Sequence, residues 1–354
     1  LEQPRGAGLT LSSRSESRIR TSTNQPVLFC WVSAMATVCV TGASGFLGSW
    51  LVKRLLEEGY YVRGTVRDPD DPNKTSHLWK LSGAQERLTL FKADLLSEGV
   101  FDSIVDGCEG VFHAASAVTM TAKDPQAEIV DPAVLGTLNV LRACKKPSTV
   151  KRVVYTSSTS AVRFAASFPQ DAFLDESIWS SSELCRENKF WYPLSKTLAE
   201  QAAWEFAKSN NLDLVTIIPS FIVGYTLPPV PTASAADSLS LFQGNDKRFE
   251  NFKFMGYVHL DDVATAHIRA FENPAANGRY ICSAVDATNA ELTEFLAERY
   301  PDYKIPTFPA SKKPYKGLCN DKLVNFLGMK LKGLEEMFDD VVEGFKHGGH
   351  LDPK

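Results

Sequence analysis

Thr41-Gly42-Ala43-Ser44-Gly45-Phe46-Leu47-Gly48 follows the apolar run Val38-Cys39-Val40 and opens an amphipathic segment, Phe46 to Glu58, closed by Gly59. A glycine-rich turn between a strand and a helix is built to hold phosphate. Gly42 permits the tight turn, Gly45 lets the backbone approach a pyrophosphate, and Gly48 lets the helix pack close to the strand, while free helix N–H groups face the anion. The flanking strand and helix, rather than the glycines alone, give the motif its weight. The stretch is therefore expected to hold a dinucleotide through Gly42, Ser44, Gly45, Phe46, Leu47 and Gly48.

The next strand bears on which dinucleotide. In Tyr60-Tyr61-Val62-Arg63-Gly64-Thr65-Val66-Arg67, alternation sets Val62, Gly64 and Val66 on one face and ends on Arg67. An acidic residue about 20 positions past the last glycine usually holds the ribose 2′-hydroxyl of NAD, whereas an Arg accommodates the 2′-phosphate of NADP. Arg67 stands there and Lys74 follows within reach, which favours NADP(H); Asp68 beside them keeps NAD open.

The 354 residues, 44% hydrophobic and 23% charged, suit an ordinary globular chain with ample core, as one large or two coupled domains. A net charge of −4 and a pI near 5.9, with no basic patch interleaved with aromatics, argue against a nucleic-acid partner. Seven cysteines, scattered and without a Cys-x-x-Cys pair, argue against a disulfide framework or structural zinc and for a reducing, cytoplasmic setting. The six histidines are dispersed without metal-ligand spacing, His77, His347 and His350 reading as surface residues. No stretch of 18 apolar residues suggests a membrane span.

Residues 1–34 read differently from the rest, being rich in Ser and Thr with Arg14, Arg18 and Arg20, then a short apolar run from Val27 to Val32. Ala34-Met35-Ala36 resembles a signal-peptidase site, but the run is shorter than the roughly 7 to 15 residues of a secretory core. A Ser- and Arg-rich transit peptide is one alternative. The preferred reading takes Met35 as the start and the preceding residues as upstream sequence.

From Met35 onward strand-like and helix-like patterns alternate, as in a parallel sheet covered on both faces by helices. The expected fold is α/β, a Rossmann-type doubly wound parallel sheet over residues 35–224, with a smaller C-terminal substrate lobe over 225–354 from which 253–285 partly return. Strands are expected at Thr37 to Thr41, Tyr61 to Val66, Leu88 to Lys92, Gly110 to Ala114, Val150 to Thr156 and Leu212 to Ile218. A further helix is expected from Pro132 to Lys145, with Val134, Leu138 and Leu141 at helical spacing. The Pro-rich Leu227-Pro228-Pro229-Val230-Pro231 breaks the rhythm, and short elements return around His259 to Phe271 and Gly278 to Cys282.

Tyr192-Pro193-Leu194-Ser195-Lys196 opens a helix running through Trp204, so Tyr192 and Lys196 share one face. A free phenol has a pKa near 10, and a neighbouring ammonium favours the phenolate, which suits proton exchange near neutral pH. Ser157 and Ser158 follow the apolar run Arg152 to Thr156 at the sheet's carboxyl edge, where a hydroxyl can hydrogen-bond a carbonyl oxygen gaining charge. A pair of serines capping a turn is the plainer alternative.

Together, Thr41 to Gly48, Ser158 and Tyr192-x-x-x-Lys196 resemble the extended short-chain dehydrogenase/reductase pattern, and the likeness runs from about Thr37 almost to the C-terminus. Val62-Arg-Gly-Thr-Val-Arg-Asp-Pro69, Lys92-Ala-Asp-Leu95, Asp175-Glu-Ser177, Ser195 to Trp204, Val258-His-Leu-Asp-Asp-Val263 and Gly278 to Cys282 are similar to the plant group of dihydroflavonol 4-reductase, vestitone reductase, cinnamoyl-CoA reductase and phenylacetaldehyde reductase. The resemblance implies NADPH-dependent reduction of a ketone or aldehyde on a small phenylpropanoid- or flavonoid-like aromatic substrate, by a monomer or weak dimer. It implies that Ser158 orients the carbonyl, Tyr192 donates the proton, and Lys196 lowers the tyrosine pKa and holds the nicotinamide ribose. By the same resemblance Asp94 and Leu95 flank the adenine, Ala114, Ala115 and Ser116 line the cofactor, and Pro219 and Ser220 border the nicotinamide. Two departures stand out. Phe190-Trp-Tyr-Pro-Leu-Ser-Lys196 differs from the Asn-Trp-Tyr-Cys-Tyr-Gly-Lys of cinnamoyl-CoA reductases, and Arg163 replaces the Asn or Asp with which dihydroflavonol reductases read the flavonoid B-ring. The rival readings are a thioester reductase, a nucleotide-sugar epimerase or dehydratase, and a noncatalytic dinucleotide sensor.

Overall fold

A computed structural model describes residues 35–116, 122–167, 171–245, 247, 249–250 and 253–352. The expectation about residues 1–34 lies outside them. The first half of the chain runs β1 (Thr37–Thr41), α1 (Phe46–Glu57), β2 (Tyr61–Val66), α2 (Pro72–Trp79), α3 (Ala84–Arg87), β3 (Leu88–Lys92), α4 (Asp102–Val105), β4 (Gly110–His113), α5 (Asp131–Lys145) and β5 (Arg152–Thr156). Then come β6 (Phe173–Leu174), α6 (Ser182–Glu187), α7 (Trp191–Asn210), β7 (Leu214–Pro219), β8 (Phe221–Val223), α8 (Ala233–Phe242), β9 (Phe254–His259) and α9 (Leu260–Glu272). The chain continues through β10 (Gly278–Cys282), β11 (Val285–Thr288), α10 (Asn289–Arg299), β12 (Gly317–Leu318), α11 (Asp321–Phe326) and α12 (Leu334–His347).

Seven strands form the central sheet in the order β10-β7-β5-β4-β1-β2-β3, every neighbouring pair parallel. Both of its faces are covered, so the strands alternate between two apolar cores rather than between core and water. Val38 and Val40 of β1 pack on one side with Leu51, Val52 and Leu55 of α1 and with Phe271 of α9. Cys39, between them, faces the other core with Val111, Val153, Leu141 and Ala203. This is the doubly wound α/β sheet expected from the alternation. Because β1 and β4 are neighbours while β2 and β3 lie on β1's other side, the winding reverses at β1, and ligands bind at the carboxyl edge beside such a reversal.

A three-stranded sheet, β11-β9-β8, and a two-stranded pair, β12-β6, stand apart from the central one. The three-stranded sheet has its own core, in which Met337, Phe338, Val341 and Phe345 of α12 meet Tyr257, Leu292 and Leu296. β10 rejoins the central sheet beside β7.

Several local expectations shift. The strand expected from Leu212 begins at Leu214, because Asn211 is left-handed (φ 51°) and the Leu212 N–H bonds back to Ala207 O at 2.9 Å, which ends α7. The helix expected from Pro132 begins at Asp131, after a π-helical turn over Gln126–Val130. Its buried face is made of Ala133, Gly136, Val140 and Leu141, with Val134 and Leu138 only half buried, since α5 packs closely on α7. His77 is not a surface residue. It is buried on the inner face of α2, and burial pushes its imidazole down to about 4.

Candidate active site

The glycine loop is shaped by close approach. Gly42 has φ +69°, and a Cβ there would sit 3.0 Å from Ala115 Cα; one on Gly48 would meet Gly42 O at 2.1 Å. The loop is held to the end of β2 by Gly42 N to Thr65 Oγ1 at 3.3 Å and Ala43 N to Thr65 O at 3.0 Å. Gly45 precedes α1, whose first turn has neither a capping side chain nor an acidic residue, so its N–H groups and dipole remain available to an anion. The Phe46 ring is buried against Ala235 and Leu260, and Leu47 is half buried in the same cluster; Ser44 is half buried at the loop. A pyrophosphate fits this cradle, which has room for no other side chain at Gly42 or Gly48.

The remaining sequence-derived positions follow strand ends along the same edge. Arg67 comes immediately after β2 and Lys74 lies on α2; both are exposed. Asp94 and Leu95 follow β3. Asp94 Oδ1 accepts from Leu96 N at 2.8 Å, while Leu95 O accepts from Asn139 Nδ2 at 2.9 Å. Ala114, Ala115 and Ser116 follow β4, where Ala115 N donates to Thr41 Oγ1 at 3.1 Å and so ties the exits of β1 and β4 together. Pro219 ends β7, and Ser220 N donates to Cys282 O at 3.0 Å.

The reacting groups come from β5 and α7. Ser158 caps a 3₁₀ turn, Thr159–Ala161, by accepting Ser160 N at 3.1 Å, which leaves its hydroxyl proton free to donate elsewhere. Tyr192 is half buried in the first turn of α7, which starts one residue earlier than expected, at Trp191. Lys196 is 6% exposed; its Nζ lies 5.8 Å from the Tyr192 ring centroid and 3.1 Å from Ser116 Oγ. The structure thus brings Lys196 and Tyr192 to the exit of β4, beside the loop that Gly42 opens.

Two residues around these groups were missed by sequence reasoning. His113, at the end of β4, is fully buried with Nδ1 2.8 Å from Thr41 Oγ1, and burial together with the nearby Lys196 ammonium pushes it down to about 3. Its ring is neutral beside that cation. Glu200 is fully buried one helical turn beyond Lys196, and Ser157 Oγ donates to its Oε2 at 2.6 Å. The two adjacent serines therefore differ: Ser157 is bound inward, while Ser158 keeps a proton to give. Only position within the Lys196-Thr-Leu-Ala-Glu200 run could have signalled Glu200, and its spacing of four carries no chemistry by itself.

Arg163 is half buried, and its Nη2 donates to Phe254 O at 2.6 Å, tying the turn after Ser158 to the three-stranded sheet. A cavity of about 360 Å³ among Phe242, Tyr303, Lys304 and His350 shares no residue with the crevice.

The family described as NAD dependent epimerase/dehydratase matches residues 38–282, more than half of the chain. Over 90% of its length, and 98% of the relative's, the chain is 54% identical to tetraketide alpha-pyrone reductase 1 from Arabidopsis thaliana. The crystal structure of vestitone reductase from alfalfa (Medicago sativa) superimposes with a TM-score of 0.77 at 40% identity, over 89% of this chain and 100% of that one. Yeast methylglyoxal/isovaleraldehyde reductase Gre2, complexed with NADPH, superimposes with a TM-score of 0.78 at 28% identity, over 89% and 100%. The fold, the reductases it resembles and the cradle at the reversal point agree on an NAD(P)-dependent oxidoreductase acting on a small molecule. The chain belongs to the NAD dependent epimerase/dehydratase family, among its plant reductases.

Proposed function

We propose that this protein uses NADPH to reduce a ketone to a secondary alcohol on a phenylpropanoid- or flavonoid-like substrate, a class extended by its relative to ring-bearing polyketides such as tetraketide alpha-pyrones. The observation that carries the reading is Lys196 Nζ at 3.1 Å from Ser116 Oγ, which sets the Tyr192–Lys196 face of α7 over the crevice opened by the glycine loop. NADPH, when bound, supplies a hydride to the carbonyl carbon. Ser158 Oγ donates a hydrogen bond to the carbonyl oxygen, Tyr192 Oη delivers the proton that oxygen needs as it becomes an alkoxide, and the Lys196 ammonium holds the nicotinamide ribose. Gly42, Ser44, Gly45, Phe46, Leu47 and Gly48 hold the pyrophosphate, Arg67 and Lys74 the 2′-phosphate, and Asp94 and Leu95 flank the adenine. Ala114, Ala115 and Ser116 line the nicotinamide riboside, and Pro219 and Ser220 border the ring.

Pro193-Leu194-Ser195 between Tyr192 and Lys196 disfavours a thioester substrate, and Arg163, engaged with Phe254 O, disfavours a true dihydroflavonol. A cytoplasmic monomer or weak dimer is part of the same reading, supported by cysteines that are all free among the described residues. The test is NADPH oxidation against tetraketide pyrones, dihydroflavonols, isoflavanones, hydroxycinnamoyl-CoAs and aromatic aldehydes. A ketone is expected to give the highest kcat/KM. Preference for hydroxycinnamoyl-CoA would restore the thioester reading, and binding of NADPH without turnover of any of them would favour the sensor.

A further inference from the structure

We propose that Glu200 is a positioning residue of the reaction, a buried carboxylate that locks the strand carrying Ser158 to the helix carrying Tyr192 and Lys196. The proposal rests on the function given above. Its basis is a set of four contacts on one side chain that is wholly inaccessible to water. Glu200 Oε2 accepts from Ser157 Oγ at 2.6 Å and from Arg279 Nη2 at 3.3 Å; Oε1 accepts from Arg279 Nε at 2.8 Å and from Trp204 Nε1 at 3.4 Å.

Burying a carboxylate is costly unless charge and hydrogen bonds offset the lost hydration, so a lone stabilising role is a poor explanation for it. What such a group supplies is geometry. Standing on the helix that bears Lys196, it reaches two other elements, the residue before Ser158 and β10 at the edge of the sheet, while Trp204 holds it from one turn further along its own helix. Arg279 is in turn fixed, since its Nη1 donates to Glu176 O at 2.7 Å and Ile178 O at 2.8 Å, and its guanidinium lies 3.7 Å from the Trp179 ring centroid. β10 brings Arg279 to that place by pairing it with Thr216, which pairs in turn with Tyr155 of β5, so the three share one row across the sheet. Ser157 N is meanwhile bonded to Ile217 O at 2.8 Å, so Ser157 is held by its backbone to β7 and by its side chain to Glu200.

Lys196 and Glu200 are four apart on α7 and therefore near one helical face. A shift of the helix along its axis would move Tyr192 and Lys196 relative to Ser158. The Ser157–Glu200 bond spans the gap across which that shift would occur. A misplacement of about 1 Å at reacting groups can cost on the order of a hundredfold in rate, so a partial loosening by loss of this one bond is expected to cost about tenfold in kcat.

The experiment uses Ser157→Ala, which deletes the tether but keeps the Glu200–Arg279 pair, Ser157→Thr, which restores a hydroxyl, and Glu200→Gln, which keeps the shape but removes the charge. For each, kcat and KM are measured well below the melting temperature, and the NADPH dissociation constant by fluorescence. Ser157→Ala should lower kcat about tenfold with the NADPH dissociation constant within about twofold, Ser157→Thr should recover most of it, and Glu200→Gln should lower kcat at least as far as Ser157→Ala does. If Ser157→Ala and Glu200→Gln keep wild-type kcat and lose only melting temperature, the cluster is purely structural and the proposal is wrong. If Tyr192→Phe also keeps wild-type turnover, it is the function itself that fails, so the two failures are distinguishable.

Discussion

The two ends of the cofactor crevice are built on opposite plans. At the end proposed for the nicotinamide, Lys196 and Glu200 are buried, His113 and His267 are fully enclosed, and hydrogen bonds link β1, β4, β5, α7 and α9. At the other end, Arg67 and Lys74 are exposed charges on a strand exit and a short helix. The difference teaches where geometry is demanded. Proton and hydride transfer depend on sub-ångström placement and therefore on groups held from several sides, whereas a phosphate dianion is recognised by charge that solvent-exposed side chains can supply. Perturbing the buried end should change rate and pH response; perturbing the exposed end should change only which cofactor is preferred.

The largest effect is expected from Tyr192→Phe, which deletes the transferable proton and leaves the ring packing intact. Turnover should fall about 10²- to 10⁴-fold while NADPH still binds. Lys196→Ala should lower turnover as well, and here the NADPH dissociation constant should rise, because the ammonium beside Ser116 is lost from the proposed ribose site. Steady-state kinetics with a fluorescence titration separate the two variants. Equal cofactor affinity in both would remove Lys196 from the ribose.

A second, smaller effect belongs to acid. His267 Nε2 lies 2.7 Å from Thr156 Oγ1, just before Ser157, and Nδ1 lies 2.7 Å from Val263 O; burial pushes the imidazole down to about 4. Because the folded value lies below that of a free imidazole, the unfolded chain takes up the proton first. Stability from this group is complete above about pH 6.5 and is lost as the pH falls toward 4. Between pH 7 and pH 5 the loss is about 2 kcal/mol, so urea unfolding of His267→Gln should show a pH 7-to-5 difference smaller than wild type by that amount. An unchanged difference would show that His267 is protonated in the folded chain.

The same contrast decided what was legible in the sequence. β1, β2 and β3 were read to the residue, because alternating apolar runs bounded by glycine or charge leave little choice of register. The short β6, β8 and β12 carry too few residues to show a period, and β11 is placed by pairing with β9 rather than by its own pattern. Gly42, Gly48, Tyr192 and Lys196 stood out because a backbone conformation or a spacing marks them. His113, Glu200 and Arg279 left no local mark, since their partners are remote: Glu200 lies 43 positions from Ser157 and 79 from Arg279. His77 was misread for a related reason. α2 is a short, polar segment, and nothing in it says which face turns inward.

The smallest effect is expected at the exposed end. Arg67, proposed to meet the 2′-phosphate, follows β2, with Lys74 on the next helix, and both are exposed. A charge-assisted contact to phosphate is strong when shielded, but solvent and salt screen an exposed one, so the contribution of Arg67 to NADPH preference should be near the lower end, about tenfold in kcat/KM. Arg67→Ala should therefore raise KM for NADPH with kcat unchanged, and leave NADH use nearly as it was, because NADH has no 2′-phosphate to lose. Added salt should weaken NADPH binding in the wild type more than in the variant, since the screened interaction is already missing from the latter. Lys196→Ala, by contrast, should penalise both cofactors alike, because the nicotinamide ribose is common to them. Measuring kcat/KM for NADPH and NADH at low and high salt in wild type, Arg67→Ala and Lys196→Ala puts the two ends side by side. If Arg67→Ala weakens both cofactors equally, Arg67 is a surface charge and the selection of NADP falls to some other group.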